Sequence, residues 1–206
     1  MSGTFPTAGF TTLNYNNNVT VRQTESVNGK TQRSKTGGQY WSFTLESPPL
    51  ERAAFNALYS FIVQQDGSFE SFTISPPVVG STAGTASGNL VTKEMSTAQK
   101  QKGSSTIKFG NKADGSPVTG TLKVGDFFKL ASHDKVYMIV GSDITFDGST
   151  SPEVSIYPPL VQTIDNSDDV TYNSVPFKVH FTSDRQSYTV DPSLLYTYQI
   201  EVREQL

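Results

Sequence analysis

At 206 residues the chain is long enough for one large domain or two small ones with a buried core, and 35% hydrophobic with 17% charged residues points to an ordered, turn-rich, mostly β protein rather than a disordered one. It has no cysteine, which excludes disulfides, thiolate catalysis and Cys-ligated metal sites. A net charge of −3 with a sequence pI near 5.4 argues against a dedicated nucleic-acid binder, and no run approaches the roughly 18 apolar residues of a membrane span.

The start, MSGTFPTAGF, lacks a basic region followed by an apolar one, so the expectation is a soluble protein made in the cytoplasm. In the polar first 36 residues, NYNNNV reads as a turn. VNGKT reads as a stronger one, because Asn-Gly suits the positive-φ positions of a two-residue hairpin; its arms are expected at Val19 to Ser26 and Thr31 to Lys35. Trp41, Phe43 and Leu45 alternate with Ser42 and Thr44, which predicts a strand with one buried face that ends at Pro48-Pro49. From Leu50 the period changes. Leu50, Ala54, Phe55, Leu58, Phe61 and Ile62 share one helical face opposite Glu51, Arg52, Asn56 and Gln64. Asp66-Gly67 closes that helix, and Phe72 and Ile74 resume strand spacing.

Residues 80–105 are rich in Gly and Ser with no sustained periodicity, and read as a polar linker or mobile loop. Short strands separated by Gly, Asp and Pro turns follow as far as Tyr172, the pattern of a small barrel or sandwich. Val175, Phe177, Val179 and Phe181 then alternate cleanly, as do Tyr196, Tyr198, Ile200 and Val202. These two strands are expected to rejoin the sheet begun near the N-terminus. Residues 1–83 with 173–206 would form one domain, and 84–172 an inserted one.

Candidates for chemistry are sparse. His133, between Ser132 and Asp134, reads as a turn histidine, because strand neighbours point to opposite faces and a triad needs convergence in space. His180 sits on the polar side of its strand. Asp165, Asp168 and Asp169 form an acidic loop without the Gly and distant Glu of an EF-hand, and the glycines at 80, 84 and 88 lack the Lys-Ser or Lys-Thr of a phosphate loop. Residues 84–112 carry five Lys against one Glu, but hardly an aromatic lies among them to stack on bases. No catalytic, cofactor or metal site is expected, and Trp41 reads as core.

The order in QYWSFTLESPPLERAAFNALYSFIVQQDGSFESFTISPP, an aromatic strand, a Pro-Pro break, a helix and a strand ending in Pro, resembles the front half of distal tail proteins of long-tailed bacteriophages. LKVGDFFKLASHDKVYMIVGSDITFDGSTSPEVSIYPPLV, with its Gly-Asp turn and YPPL ending, is similar to a module of such tail-tip proteins, and VPFKVHFTSDRQSYTVDPSLLYTYQIEVREQL to their closing strands. The resemblance implies a tail-tube-type β-sandwich or split barrel flanked by one helix, with an inserted barrel of the oligonucleotide/oligosaccharide-binding (OB) type. It implies a hexameric ring at the tail tip of the virion, around the genome channel. Partners would be other copies, the tail tube and hub proteins, and tape-measure, collar or fibre proteins, with no sequence-specific nucleic acid and no membrane. Trp41, Phe43, Phe55, Leu58, Phe61 and Phe72 would pack the helix on its sheet. The alternative is a carbohydrate-binding or host-adhesion module, which predicts an exposed aromatic platform among Phe127, Phe128, Tyr137, Phe146 and Tyr157; the structural reading predicts that most of these are buried.

Overall fold

The computed structural model describes residues 3–6, 9–93, 99–112, 117–148 and 152–205. In chain order its elements are β1 (Thr12–Glu25), β2 (Thr31–Glu46), α1 (Arg52–Val63), β3 (Phe72–Ile74), β4 (Leu90–Thr92), β5 (Thr106–Asn111), β6 (Thr119–Leu122) and β7 (Phe127–Leu130). These are followed by β8 (Val136–Val140), β9 (Ile144–Asp147), β10 (Glu153–Tyr157), β11 (Asp169–Thr171), β12 (Phe177–Phe181), β13 (Tyr188–Val190) and β14 (Tyr196–Glu204). The fold is mostly β, with a single helix among the described residues; that helix is neither long nor apolar enough to cross a membrane. Two compact units divide the chain, Met1–Thr73 with Lys178–Leu206 and Ile74–Phe177.

In the first unit the sheet runs β1-β2-β14-β12-β3, and β13 pairs with β14 off that path. The C-terminal strands thus enter the sheet that the N-terminal hairpin begins. Alternation sorts β2 into a core face, where Trp41, Phe43 and Leu45 are at most 1% exposed, and an outer face ending in Glu46. β14 matches it, with Tyr198, Ile200 and Val202 buried and Gln199, Glu201 and Arg203 outward. α1 starts just after Pro48-Pro49 and buries Phe55, Leu58 and Ile62, whose spacing is one helical stripe. Ala54, expected on that stripe, is exposed, and Phe61 is half-buried, edge-on to Phe72 at 5.5 Å and to Phe5 at 5.7 Å.

Two sequence expectations are corrected here. NYNNNV is not a turn: Asn14, Tyr15, Asn16, Asn17 and Asn18 lie inside β1, opposite Thr44, Phe43, Ser42, Trp41 and Tyr40. Asn18 donates to Ser42 Oγ at 2.8 Å, while Tyr15 stacks on Trp41 with ring centroids 5.0 Å apart. The partner strand's aromatic face supplies apolar contact that outweighs the weak strand preference of asparagine.

Nor are residues 80–105 a linker throughout. Leu90, Val91 and Thr92 form the buried strand β4, and residues 85–87 hydrogen-bond to Thr121 and Thr119 beside β6. The glycines there serve close backbone approach: a Cβ on Gly84 would lie 1.8 Å from the Thr121 carbonyl oxygen. Residues 94–98 of that stretch lie outside the described residues.

The second unit is a small closed barrel, in the order β10-β5-β4-β11-β7-β8, with a two-stranded sheet of β6 and β9. Its core includes Ile107, Phe109, Phe128, Leu130, Tyr137 and Ile139, all fully buried.

Candidate assembly surfaces

The β1–β2 hairpin outruns its sheet. The pairing of β2 with β14 ends at Ser42 opposite Arg203, yet β1 and β2 continue paired out to Glu25 opposite Thr31, with a register break between Val19 and Val21. Every described side chain from Thr20 to Gly38 is exposed, and Val27 at the tip reaches 106% of its reference area. From Val19 the ribbon projects roughly 20 Å at the usual rise per strand residue. It carries Arg22, Lys30, Arg33 and Lys35 against Glu25 alone, so the arm is basic in a chain of net charge −3.

A second surface lies at the other end of β14. There β13 pairs with Tyr196, Thr197 and Tyr198, and all three of its residues are exposed. A groove of about 380 Å³ runs along it, bounded by Glu46, Gln199 and Glu201 on the sheet's outer face and by Arg185, Gln186 and Tyr188 opposite. Tyr188 belongs to an aromatic cluster, 4.8 Å from Phe55 and 5.1 Å from Tyr59, with Tyr196 stacked on Phe55 at 4.7 Å. Of the groove's apolar surface, Tyr188 is 44% exposed; Val190 and Leu194, 43% and 73% exposed, lie farther along the chain and do not line it.

Of the residues expected to pack α1 on its sheet, Trp41, Phe43, Phe55, Leu58 and Phe72 are buried, and Phe61 is half-buried. The aromatic platform is not on the surface. Phe128 and Tyr137 are fully buried, Phe127 and Phe146 are 6% and 4% exposed, and only Tyr157 is half-buried. Stacking on a sugar needs a free ring face, and these rings spend theirs on one another, Phe128 lying 5.6 Å from Tyr137.

His133 does sit in the turn between β7 and β8, and its own side chain is buried although Ala131 and Ser132 beside it are exposed. Ser132 gives its hydrogen to Asp168, so its Oγ accepts from His133 Nδ1 at 3.0 Å, which places the ring hydrogen on Nδ1. The neutral ring's Nε2 is left to accept from Tyr137 Oη at 2.7 Å, while that oxygen accepts from the Val161 N–H at 3.1 Å. The serine stands between acid and imidazole, so the chain is not a nucleophile triad.

Burial lowers the His133 pKa, opposed by Asp168 and Asp134 and assisted by Lys129. A base whose folded pKa lies below its unfolded value near 6.5 takes up protons on unfolding, so this contribution is present above that pH and fades as pH falls through it. We expect the second unit's urea midpoint to drop between about pH 7 and pH 5. His133→Gln should flatten that dependence, measured by circular dichroism at both pH values.

The acidic loop is engaged internally. Asp165 accepts from Gln99, Asp168 from Ser132, and Asp169 pairs with Lys112 at 2.7 Å. Among the described residues no group of three His, Asp or Glu is placed to hold a metal ion.

Residues 82–175, within the second unit but for its margins, match the family model of the B domain of distal tail protein pb9. Over 174 residues the chain is 29% identical to the distal tail protein pb9 of Escherichia phage T5, a match that covers 84% of this chain and 80% of the relative. This chain is related to phage distal tail proteins. The relationship extends well beyond the B domain. Neither surface was legible as a site in the sequence, because the groove gathers Glu46, Arg185 and Glu201 from three distant segments.

Proposed function

We propose that the chain builds a ring at the distal end of a phage tail, joining the tail tube to the tip hub and lining the channel for genome passage. The observation that carries this reading is the arm. A two-stranded ribbon without a third strand or a core is marginal in water, so sixteen-residue β2 and its partner have a reason to project that far only if another surface receives them. The ring-forming part is residues 1–83 with 173–206, and residues 84–172 form the inserted module. The number of copies, six, is the one the sequence resemblance implies. Candidate neighbours are the tube and hub proteins, then tape-measure, collar or fibre proteins. Such a role is one of shape and needs no catalytic group, because a head-to-tail contact closes only at the right angle. Adhesion through the aromatic platform is set aside, since four of those five rings are buried and a half-buried Tyr157 alone makes no platform.

The test is a variant in which Val19 and Gln39, opposite each other in the hairpin, are joined by Asn-Gly in place of the arm. Wild type is expected to give six-fold rings with an open centre by light scattering and negative-stain microscopy. The variant should melt as wild type does yet stay monomeric. Rings from the armless variant would overturn the reading.

A further inference from the structure

We infer that the groove along β13 receives the arm of a second copy of this chain, a contact that rests on the ring reading and specifies it. The two surfaces sit at opposite ends of one sheet: the arm runs out past Arg203 near the C-terminal end of β14, and β13 pairs at Tyr196–Tyr198 near its start. A donor and an acceptor on different patches make a heterologous contact, the kind that closes into a cyclic ring.

Their chemistries also match. Among the described residues, Arg22, Lys30, Arg33 and Lys35 form no ion pair, and Arg33 and Lys35, two apart on β2, point to the same face of the ribbon. The groove offers Glu46 and Glu201 on the sheet's outer face, with Arg185 as its one cation. Tyr188, which lines the groove and is 44% exposed, offers an aromatic contact for Val21, itself 50% exposed. Aromatic anchors rimmed by polar groups are what interface centres are made of. Docking would also neutralise the arm. Left bare beside a channel, four cations would hold phosphates and slow a passing genome.

The test is charge exchange, made on exposed residues so that folding is unaffected and checked by thermal melts. Arg33→Glu with Lys35→Glu, or Glu46→Lys with Glu201→Lys, should each raise the concentration for half-assembly by about a hundredfold, since like charges then face each other. The four changes together should restore rings. Rings that persist in the groove variant, or stay absent in the fourfold variant while wild type assembles, would overturn this contact and leave the ring reading standing. A wild-type chain that never forms rings would overturn both.

Discussion

Trp41→Ala is expected to cost the first unit about 4 kcal/mol, the range for deleting a buried indole and leaving part of its cavity. Trp41 is 1% exposed, stacked on Tyr15, and flanked in β2 by Phe43 and Leu45 on the same face. Its backbone N–H donates to Glu204 Oε2 at 3.1 Å, so the strand position is tied to β14 as well. Removing the indole frees one face of Tyr15, whose hydroxyl pKa burial and the Glu204 charge already push far up, and the hairpin loses one of the side-chain contacts between β1 and β2. Trp41→Phe should cost about half as much, because most of the apolar area is kept. The chain has one tryptophan, so in wild type its fluorescence follows the first unit alone while circular dichroism follows both. The variants are read by the urea midpoint, in circular dichroism, of the transition that wild-type tryptophan fluorescence assigns to the first unit; an unchanged midpoint in Trp41→Ala would show that the buried face of β2 is not what stabilises this unit.

The same residues explain what could be read beforehand. Trp41, Phe43 and Leu45, then Phe55, Leu58 and Ile62, are long apolar runs with one period each, and their burial follows from that period directly. VNGK announced the hairpin tip but not its form: Gly29 takes φ +75° while Asn28 does not take a positive φ, and the Ser26 N–H donates to the Lys30 carbonyl, so three residues rather than the expected two cross the tip. Short-range signals failed where a distant strand decided the outcome. The four asparagines of NYNNNV carry turn chemistry, but a partner strand more than twenty positions on supplies two aromatic neighbours for Tyr15 and a hydroxyl for Asn18. GSTAGTASG looks loose by composition, and its glycines instead let one backbone press against Thr121 and Pro117. The groove had no local signature at all, since an outer sheet face is polar whether or not anything binds there.

Asp126 illustrates a polar position whose role appears only in three dimensions, and its replacement is the second large effect expected. In the sequence it belongs to a Gly-Asp turn; in the fold its carboxylate is 4% exposed and surrounded by donors. Oδ1 accepts from the Ala83 N–H at 2.8 Å, and Oδ2 from the Lys123 N–H at 2.8 Å and from the Thr82 hydroxyl. Thr82 Oγ1 in turn accepts from the Gly84 N–H at 3.0 Å, so one carboxylate fixes the chain entering the barrel against the turn before β7. Hydrogen bonds to a charged group are the strong ones, and their donors have no other partner ready once it is gone. Asp126→Ala should therefore cost the second unit about 3 kcal/mol, seen as a fall of about 15 °C in its Tm. Asp126→Asn is nearly isosteric, yet its amide nitrogen must face either the Ala83 N–H or the Lys123 N–H, donor against donor. It is expected to recover little of the loss. An asparagine variant as stable as wild type would mean that shape, rather than the acceptor pair, holds this turn.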